Sequence, residues 1–244
     1  MMRPLSDKSG FTLIELVMVI VIVGILAGVA TVQLSRTTES ARHEATQVEL
    51  DALAAAIVGD PTLTADGARS DFGYVGDVGA MPPTLDALAS NPGFATWRGP
   101  YIKGDFAAGD FLKDGWNVAY TYQDTLLRST GSGANIDKIF ASDRTVLLSN
   151  SIIGYVRDAS HRTPGTVYRD SVAVIVTYPN GTGGMASPTT APDAGGRFAF
   201  SGVPIGNHRV RIIYRPDSDT VTIPVCVLPG ATTKLDVNFP ADLW

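Results

Sequence analysis

The chain of 244 residues has one cysteine and three histidines, and only 18% of its residues are charged. A lone Cys226 excludes an internal disulfide, and with no CxxC and no Cys/His cluster there is no zinc site of ordinary spacing. On a β-run, Cys226 reads as a small buried apolar residue. His43, His161 and His208 fall in a helix, a loop and a strand, without an HExxH motif or an i,i+4 pair, so no metal centre is expected. Gly131-Ser132-Gly133 lacks the GxSxG spacing of a nucleophile elbow, and no P-loop or dinucleotide-binding glycine pattern follows a strand. The expectation is a non-enzymatic protein without cofactor. The 19 Lys+Arg are outnumbered by 24 Asp+Glu, for a net charge of −5, which excludes a polybasic nucleic-acid binder.

Apolar residues, by contrast, are plentiful. At 45% hydrophobic the chain is not disordered, and its length allows one large or two small domains. The 25 Gly and 15 Pro imply many turns and hence β-structure.

Much of the apolar content sits in one run. Phe11 to Val32 reads FTLIELVMVIVIVGILAGVATV, and from Leu16 onward it has no charge, Asn, Gln or Pro. A helix rising about 1.5 Å per residue over this run crosses the roughly 30 Å hydrocarbon core of a bilayer. Two processing routes are open. In one, Arg3 and Lys8 are the positive end of a secretory signal, Leu16–Leu26 its apolar region, and cleavage follows Gly28-Val29-Ala30. In the other, cleavage falls between Gly10 and Phe11 and the helix stays on the mature chain. Glu15 favours the second. A carboxylate inside an apolar span costs roughly 2.5–3.5 kcal/mol unless paired, and an ordinary signal has no use for it. With Phe11 as the first residue, Glu15 lies one turn from a free amine, and a neighbouring copy's amine neutralises it when copies stack with an axial offset.

Ser9-Gly10-Phe11-Thr12-Leu13-Ile14-Glu15-Leu16 resembles the prepilin signal of type IV pilins and type II secretion pseudopilins. The resemblance implies removal of residues 1–10 by a prepilin peptidase, N-methylation of Phe11, and a role for Glu15 in assembly. Gly24-Ile25-Leu26-Ala27-Gly28 is a GxxxG, which lets helix backbones approach closely in lipid, and Gly24 and Gly28 are the packing candidates. Many relatives have Pro near the position of Val32; this chain has none. From Gln33 to Val58 the helix should continue as an amphipathic segment. Leu34, Ala41, Ala45, Val48, Ala52 and Ala55 form its apolar stripe, and Arg36, Glu39, Arg42, Glu44 and Glu49 lie off it. Gly59-Asp60-Pro61 ends it.

Residues 60–80 read as a Gly/Asp-rich connection, and Met81-Pro82-Pro83-Thr84-Leu85-Asp86-Ala87-Leu88 as a turn into a short helix. Trp97-Arg98-Gly99-Pro100-Tyr101-Ile102 and Asp114-Gly115-Trp116-Asn117-Val118-Ala119-Tyr120-Thr121-Tyr122 follow. This order is similar to the head of the major pseudopilin of type II secretion, over Phe11 to about Ile139. Trp97, Tyr101, Trp116, Tyr120 and Tyr122 are expected to pack a small antiparallel sheet onto the helix. The family holds a structural calcium beyond the first strand of this sheet. Here the stretch Leu126 to Asp137 lacks the family's acidic pattern, and Asp105, Asp110 and Asp114 are read as solvated loop acids, so no metal is expected.

From about Asn150 the pattern changes to short β-runs: Ile152–Val156, Ser171–Tyr178, Arg197–Phe200, His208–Tyr214, Thr220–Leu228 and Lys234–Phe239. Asn180-Gly181-Thr182 fits a glycosylation sequon but is better read as a hairpin turn. Gly195-Gly196-Arg197-Phe198-Ala199-Phe200 with Val203-Pro204-Ile205-Gly206 resembles the carboxypeptidase regulatory-like, transthyretin-like β-sandwich, expected to be antiparallel. That fold is shared by non-catalytic modules and implies no activity.

The expected fold is therefore α+β: a leader over 1–10, a pilin helix over 11–58 that spans the membrane over about 11–32, an α+β head over 59–149 and an all-β sandwich over 150–244. The resemblance implies a single-pass protein of a bacterial inner membrane with a periplasmic head. Its partners would be other copies of itself, other pilins or pseudopilins, the prepilin peptidase, and an assembly platform with its ATPase; nucleic acid is not among them. A type II secretion pseudopilus and a surface type IV pilus are both open. A third possibility is a binding module on a pilin carrier, for which Tyr168 and Trp244 would form a solvent-facing patch.

Overall fold

A computed structural model describes residues 12–102 and 110–244. The Gly10-Phe11 junction and Asp105 lie outside the described residues. The fold is α+β. Contacts divide the chain into a unit ending at Ala45 and a compact unit, Thr46–Trp244.

Helix α1, Leu13–Val58, runs 46 residues without a break at Val32. It stops at Gly59, whose φ of 82° suits glycine and where a Cβ would lie 2.4 Å from the Asp71 carbonyl oxygen. Arg69 satisfies the last carbonyls, donating to Val58 O at 2.6 Å and Gly59 O at 3.1 Å.

The compact unit buries the face of α1 carrying Thr46, Leu50, Leu53, Ala54 and Ile57. This corrects the expected stripe. Leu34, Ala41, Ala45, Val48 and Ala52 are exposed and Ala55 is half-buried. At 3.6 residues per turn Val48 and Leu50 stand about 160° apart, so the expected face lies nearly opposite the buried one. Alanine lines both faces, and periodicity alone could not choose between them. The buried face also includes a threonine: Thr46 Oγ1 accepts the Gly115 N–H at 3.0 Å.

After α1 the stretch read as a plain connection forms a hairpin, β1 (Thr64–Ala65) with β2 (Ala68–Arg69), and a short helix α2 (Gly73–Val78) that buries Tyr74, Val75 and Val78. Six residues are too few to display helical periodicity, which is why the sequence hid it. The expected helix after Pro83 is a single 3-10 turn, Leu85–Leu88. Strands β3 (Thr121–Gln123), β4 (Leu126–Ser129) and β5 (Ile136–Ile139) form an antiparallel meander, followed by the one-turn helix α3 (Thr145–Leu148).

The head core gathers Leu50, Leu53, Ile57, Tyr74, Leu88, Leu127 and Leu147. Tyr120 is buried in it, and Trp97, Tyr101, Trp116 and Tyr122 pack around it half-buried, as expected. Tyr101 meets Tyr74 and Trp97 edge-on at centroid distances of 5.7 and 5.6 Å. Tyr120 ties sheet to helix, its hydroxyl donating to Glu49 Oε2 at 2.6 Å.

The β-rich remainder comprises β6 (Asn150–Arg157), a turn of helix α4 (Gly165–Tyr168), β7 (Val172–Pro179), β8 (Met185–Ala186), β9 (Thr189–Thr190), β10 (Arg197–Val203), β11 (Gly206–Tyr214), β12 (Asp219–Val227) and β13 (Thr232–Asn238). One sheet has the order β10-β6-β13; the other is β12-β11-β7, with β8 and β9 both on the free side of β7. Val174, Val176, Val210 and Ile212 from the second sheet meet Ile152, Val156, Phe198 and Val237 from the first in a shared core. The expected all-antiparallel sandwich needs one correction, since β13 pairs with β6 in parallel. After Pro229-Gly230 the chain crosses to the opposite sheet, and alternation within a strand carries no information on the direction of its neighbour. The Val203-Pro204-Ile205-Gly206 turn does more than reverse the chain. Ile205 is buried in the head core, and its N–H donates to Leu147 O at 2.8 Å.

Candidate assembly site on the N-terminal helix

The described part of α1 begins with a reciprocal cap. Thr12 Oγ1 accepts the Glu15 N–H at 3.3 Å, and Glu15 Oε2 accepts the Thr12 N–H at 2.9 Å and the Thr12 hydroxyl at 2.8 Å. This is a capping box, whose T-x-x-E signature, Thr12 to Glu15, is the sequence signal for it. Glu15 thus has a local partner within its own chain in addition to the inter-copy partner expected for it.

Beyond the cap, each residue from Thr12 to Ala45 is exposed. The run holds Leu13, Ile14, Leu16 to Val23, Ile25, Leu26, Val29 and Val32, which is far more contiguous apolar surface than a soluble monomer shows. By length and composition α1 is able to cross a membrane. The Thr31, Ser35, Thr37 and Thr38 hydroxyls are satisfied within the helix, donating to carbonyls four residues back at 2.8 to 3.1 Å. A side chain added at Gly24 or Gly28 would meet no described atom within 4 Å. Both glycines are open to an approaching helix.

The other sequence candidates resolve differently. Asp110 is exposed, but Asp114 is buried and not a solvated acid. Its carboxylate accepts the Ser129 hydroxyl at 2.5 Å and the N–H groups of Trp116, Val118 and Gly131 at 2.9 to 3.0 Å. Burial alone would raise its pKa, but these hydrogen bonds outweigh it and hold the carboxyl below the ordinary carboxylate value. The group organises two loops and has no lone pair spared for a metal. Among the described residues no group of three or more His, Cys, Asp or Glu side chains converges.

His208 is buried with its Nε2 2.7 Å from Pro204 O, and burial lowers its pKa. Cys226 is half-buried on β12, with Sγ 3.8 Å from Arg69 O. Asn180 closes the β7–β8 turn, its Oδ1 accepting the Thr182 and Gly184 N–H groups. Trp244 does not form a free patch. It packs edge-on against Tyr214 and Phe239 and donates from Nε1 to Arg162 O at 2.9 Å, which leaves Tyr168 exposed without it.

Residues 5–31 match the family model described as the prokaryotic N-terminal methylation motif. The N-terminus is type IV pilin-like. No curated protein matches the chain. Among solved structures, the dioxygenase domain of a dioxygenase carbohydrate-binding protein fusion from Streptomyces sp. SirexAA-E is 13% identical, covering 39% of this chain and 81% of its own, at a TM-score of 0.30. The Streptococcal ancillary pilin is 12% identical over 49% of this chain and 43% of its own, at 0.27. The major pilin subunit of Bacillus cereus is 11% identical over 52% and 42%, also at 0.27. These likenesses are too distant to carry function.

Proposed function

We propose that the chain is a non-enzymatic subunit of a type II secretion pseudopilus, cleaved between Gly10 and Phe11, N-methylated on Phe11 and polymerised through α1. The supporting observation is the pairing of the methylation motif over residues 5–31 with a helix whose described residues to Ala45 are all exposed and largely apolar. In this reading α1 rests in the inner membrane until an assembly platform and its ATPase draw it into the fibre. There the apolar surface is covered by other copies, or by other pseudopilins. Gly24 and Gly28 admit close helix contact. The Phe11 amine of one copy neutralises Glu15 of its neighbour, relieving the cost of a carboxylate in an apolar surrounding. The order of motifs in the head supports the pseudopilus over a surface type IV pilus. The latter keeps the same assembly chemistry and differs in where the fibre ends.

Glu15→Gln separates the two roles of this residue. Glutamine preserves the capping box but removes the charge. Loss of fibres in Glu15→Gln, with the protein still in the membrane fraction, is the expected result. Fibres at the rate of the unaltered chain would reduce Glu15 to a cap and overturn the pairing mechanism.

A further inference from the structure

The sandwich presents a second surface that assembly through α1 leaves unused. On β11, Arg209 and Arg211 alternate with the buried Val210 and Ile212, so both point away from the core. Two residues along a strand separates them by about 6.8 Å. Register sets Arg209 between Thr177 of β7 and Pro224 of β12, and Arg211 between Ile175 and Thr222. Ser187, bonded to Thr177 at 3.2 Å, and Thr189 extend the row of hydroxyls beyond β7. Arg98, from the head, lines the same open trough of about 780 Å³. None of the described residues lining it is acidic, on a chain whose net charge is −5. The local sign opposes that of the whole molecule, which concentrates anions at this face.

The trough continues at Arg98 and Asn207 into a cleft of about 420 Å³ that holds Asp71 and Asp77. Both carboxylates are engaged within the chain. Asp71 accepts the Asp60 and Gly73 N–H groups at 2.8 and 3.0 Å, and Asp77 accepts the Tyr101 hydroxyl at 2.9 Å. Burial raises the Asp77 pKa while the Tyr101 hydroxyl and the charge of Arg98 oppose the rise, so Asp77 offsets part of the Arg98 charge and the weight of the trough falls on Arg209 and Arg211. The hydroxyl of Thr96, which lines this cleft, is enclosed without a hydrogen-bond partner among the described residues.

We infer that this trough binds a carboxylated polysaccharide, with Arg209 and Arg211 taking carboxylates and the threonine and serine hydroxyls taking sugar hydroxyls. Guanidinium forks match carboxylates in bidentate geometry. No Trp, Tyr or Phe is among the described residues lining the trough, which among them supply no stacking platform of the kind a neutral sugar would use. An acidic peptide fits less well. Along Arg209 to Tyr214, β11 is paired on both sides, so a peptide backbone laid across this face finds no sheet edge to join.

The test uses the full-length chain in detergent micelles, with polygalacturonate, dextran and polyglutamate as probes at low salt. Polygalacturonate should bind and dextran should not. R209Q/R211Q should weaken polygalacturonate binding by about tenfold or more, the scale of losing charge-assisted hydrogen bonds, while R197Q, on the opposite sheet, should leave it unchanged. Thermal melting reports whether the double variant folds; if it does not, R209Q and R211Q singly carry the test, each expected to weaken binding by about threefold or more. Failure of the unaltered chain to bind polygalacturonate would overturn the proposal. So would unchanged binding in the folded arginine variants. Polyglutamate binding as tight as polygalacturonate binding would assign the face to an acidic polypeptide instead.

Discussion

One helix contains two opposite solutions to the same chemical problem. From Leu13 to Val32, α1 is apolar apart from Glu15 and Thr31 and exposed at every residue. From Thr46 to Ile57 it is Ala-rich, carries Glu49 and Asp51, and buries one face completely. A folded chain that meets its own needs hides its apolar side chains, as the second stretch does. The first therefore meets the needs of a larger structure, whether lipid or other copies. The polar residues divide in the same way. Thr46 and Glu49 bond to the head, whereas Thr31, Ser35, Thr37 and Thr38 turn their hydroxyls back onto the helix.

Substitutions can break this contrast from either side. Leu53→Ala should have the largest effect, lowering the stability of the compact unit by about 2–5 kcal/mol because a fully packed side chain leaves a cavity. Chemical denaturation measures it, and membrane fractionation should not change. Ile22→Arg should do the reverse. Placing a guanidinium in the span costs about 3 kcal/mol of insertion, so membrane retention and fibre yield fall while the melting temperature of the head stays put.

Asp114→Ala removes a buried acceptor of four hydrogen bonds and should destabilise the head by about 1–3 kcal/mol. Its pH dependence follows from the depressed pKa. The stabilisation is fully present above the unfolded value of about 3.9 and is lost as pH falls through the lower, folded value. Acid titration of the unaltered chain should show this loss, and Asp114→Ala should flatten it. The smallest effect belongs to Val48→Ala, on the exposed side of the same helical turn as Leu50, which should lie within about 0.5 kcal/mol of the unaltered chain. A Val48 substitution as costly as Leu53→Ala would erase the distinction between the two faces.

What the sequence showed and what it hid follow from the range of the interactions. The long strands of the sandwich were legible to within a few residues because alternation is local: Arg197-Phe198-Ala199-Phe200 shows its own inside and outside. The end of α1 was legible because Gly59 is punctuation. The packed face of α1 was not, since Ala41, Ala45, Ala52 and Ala54 give every side a similar apolar weight and only the head decides which is covered. The parallel pairing of β13 with β6 is a property of two distant segments. Asp114 looked like a loop acid because two of its four partners, Ser129 at the end of β4 and Gly131 just after it, are brought to it only by the β3–β4 hairpin. At the assembly site, Glu15 stands out in the sequence as a charge in an apolar run, and that same contrast masks its local bond to Thr12 three residues before it. The arginine face was invisible for a similar reason: Arg98 is over a hundred residues from Arg209 and Arg211, and only the packing of sandwich on head brings them to one trough.

Assembly through α1 requires that the helix remain attached to the mature protein. Mass spectrometry of the N-terminal peptide from membrane-isolated protein tests that directly. The expected result is a chain beginning at N-methylated Phe11. A chain beginning at Thr31 would contradict it, because cleavage there removes Glu15, Gly24, Gly28 and most of the exposed apolar surface together.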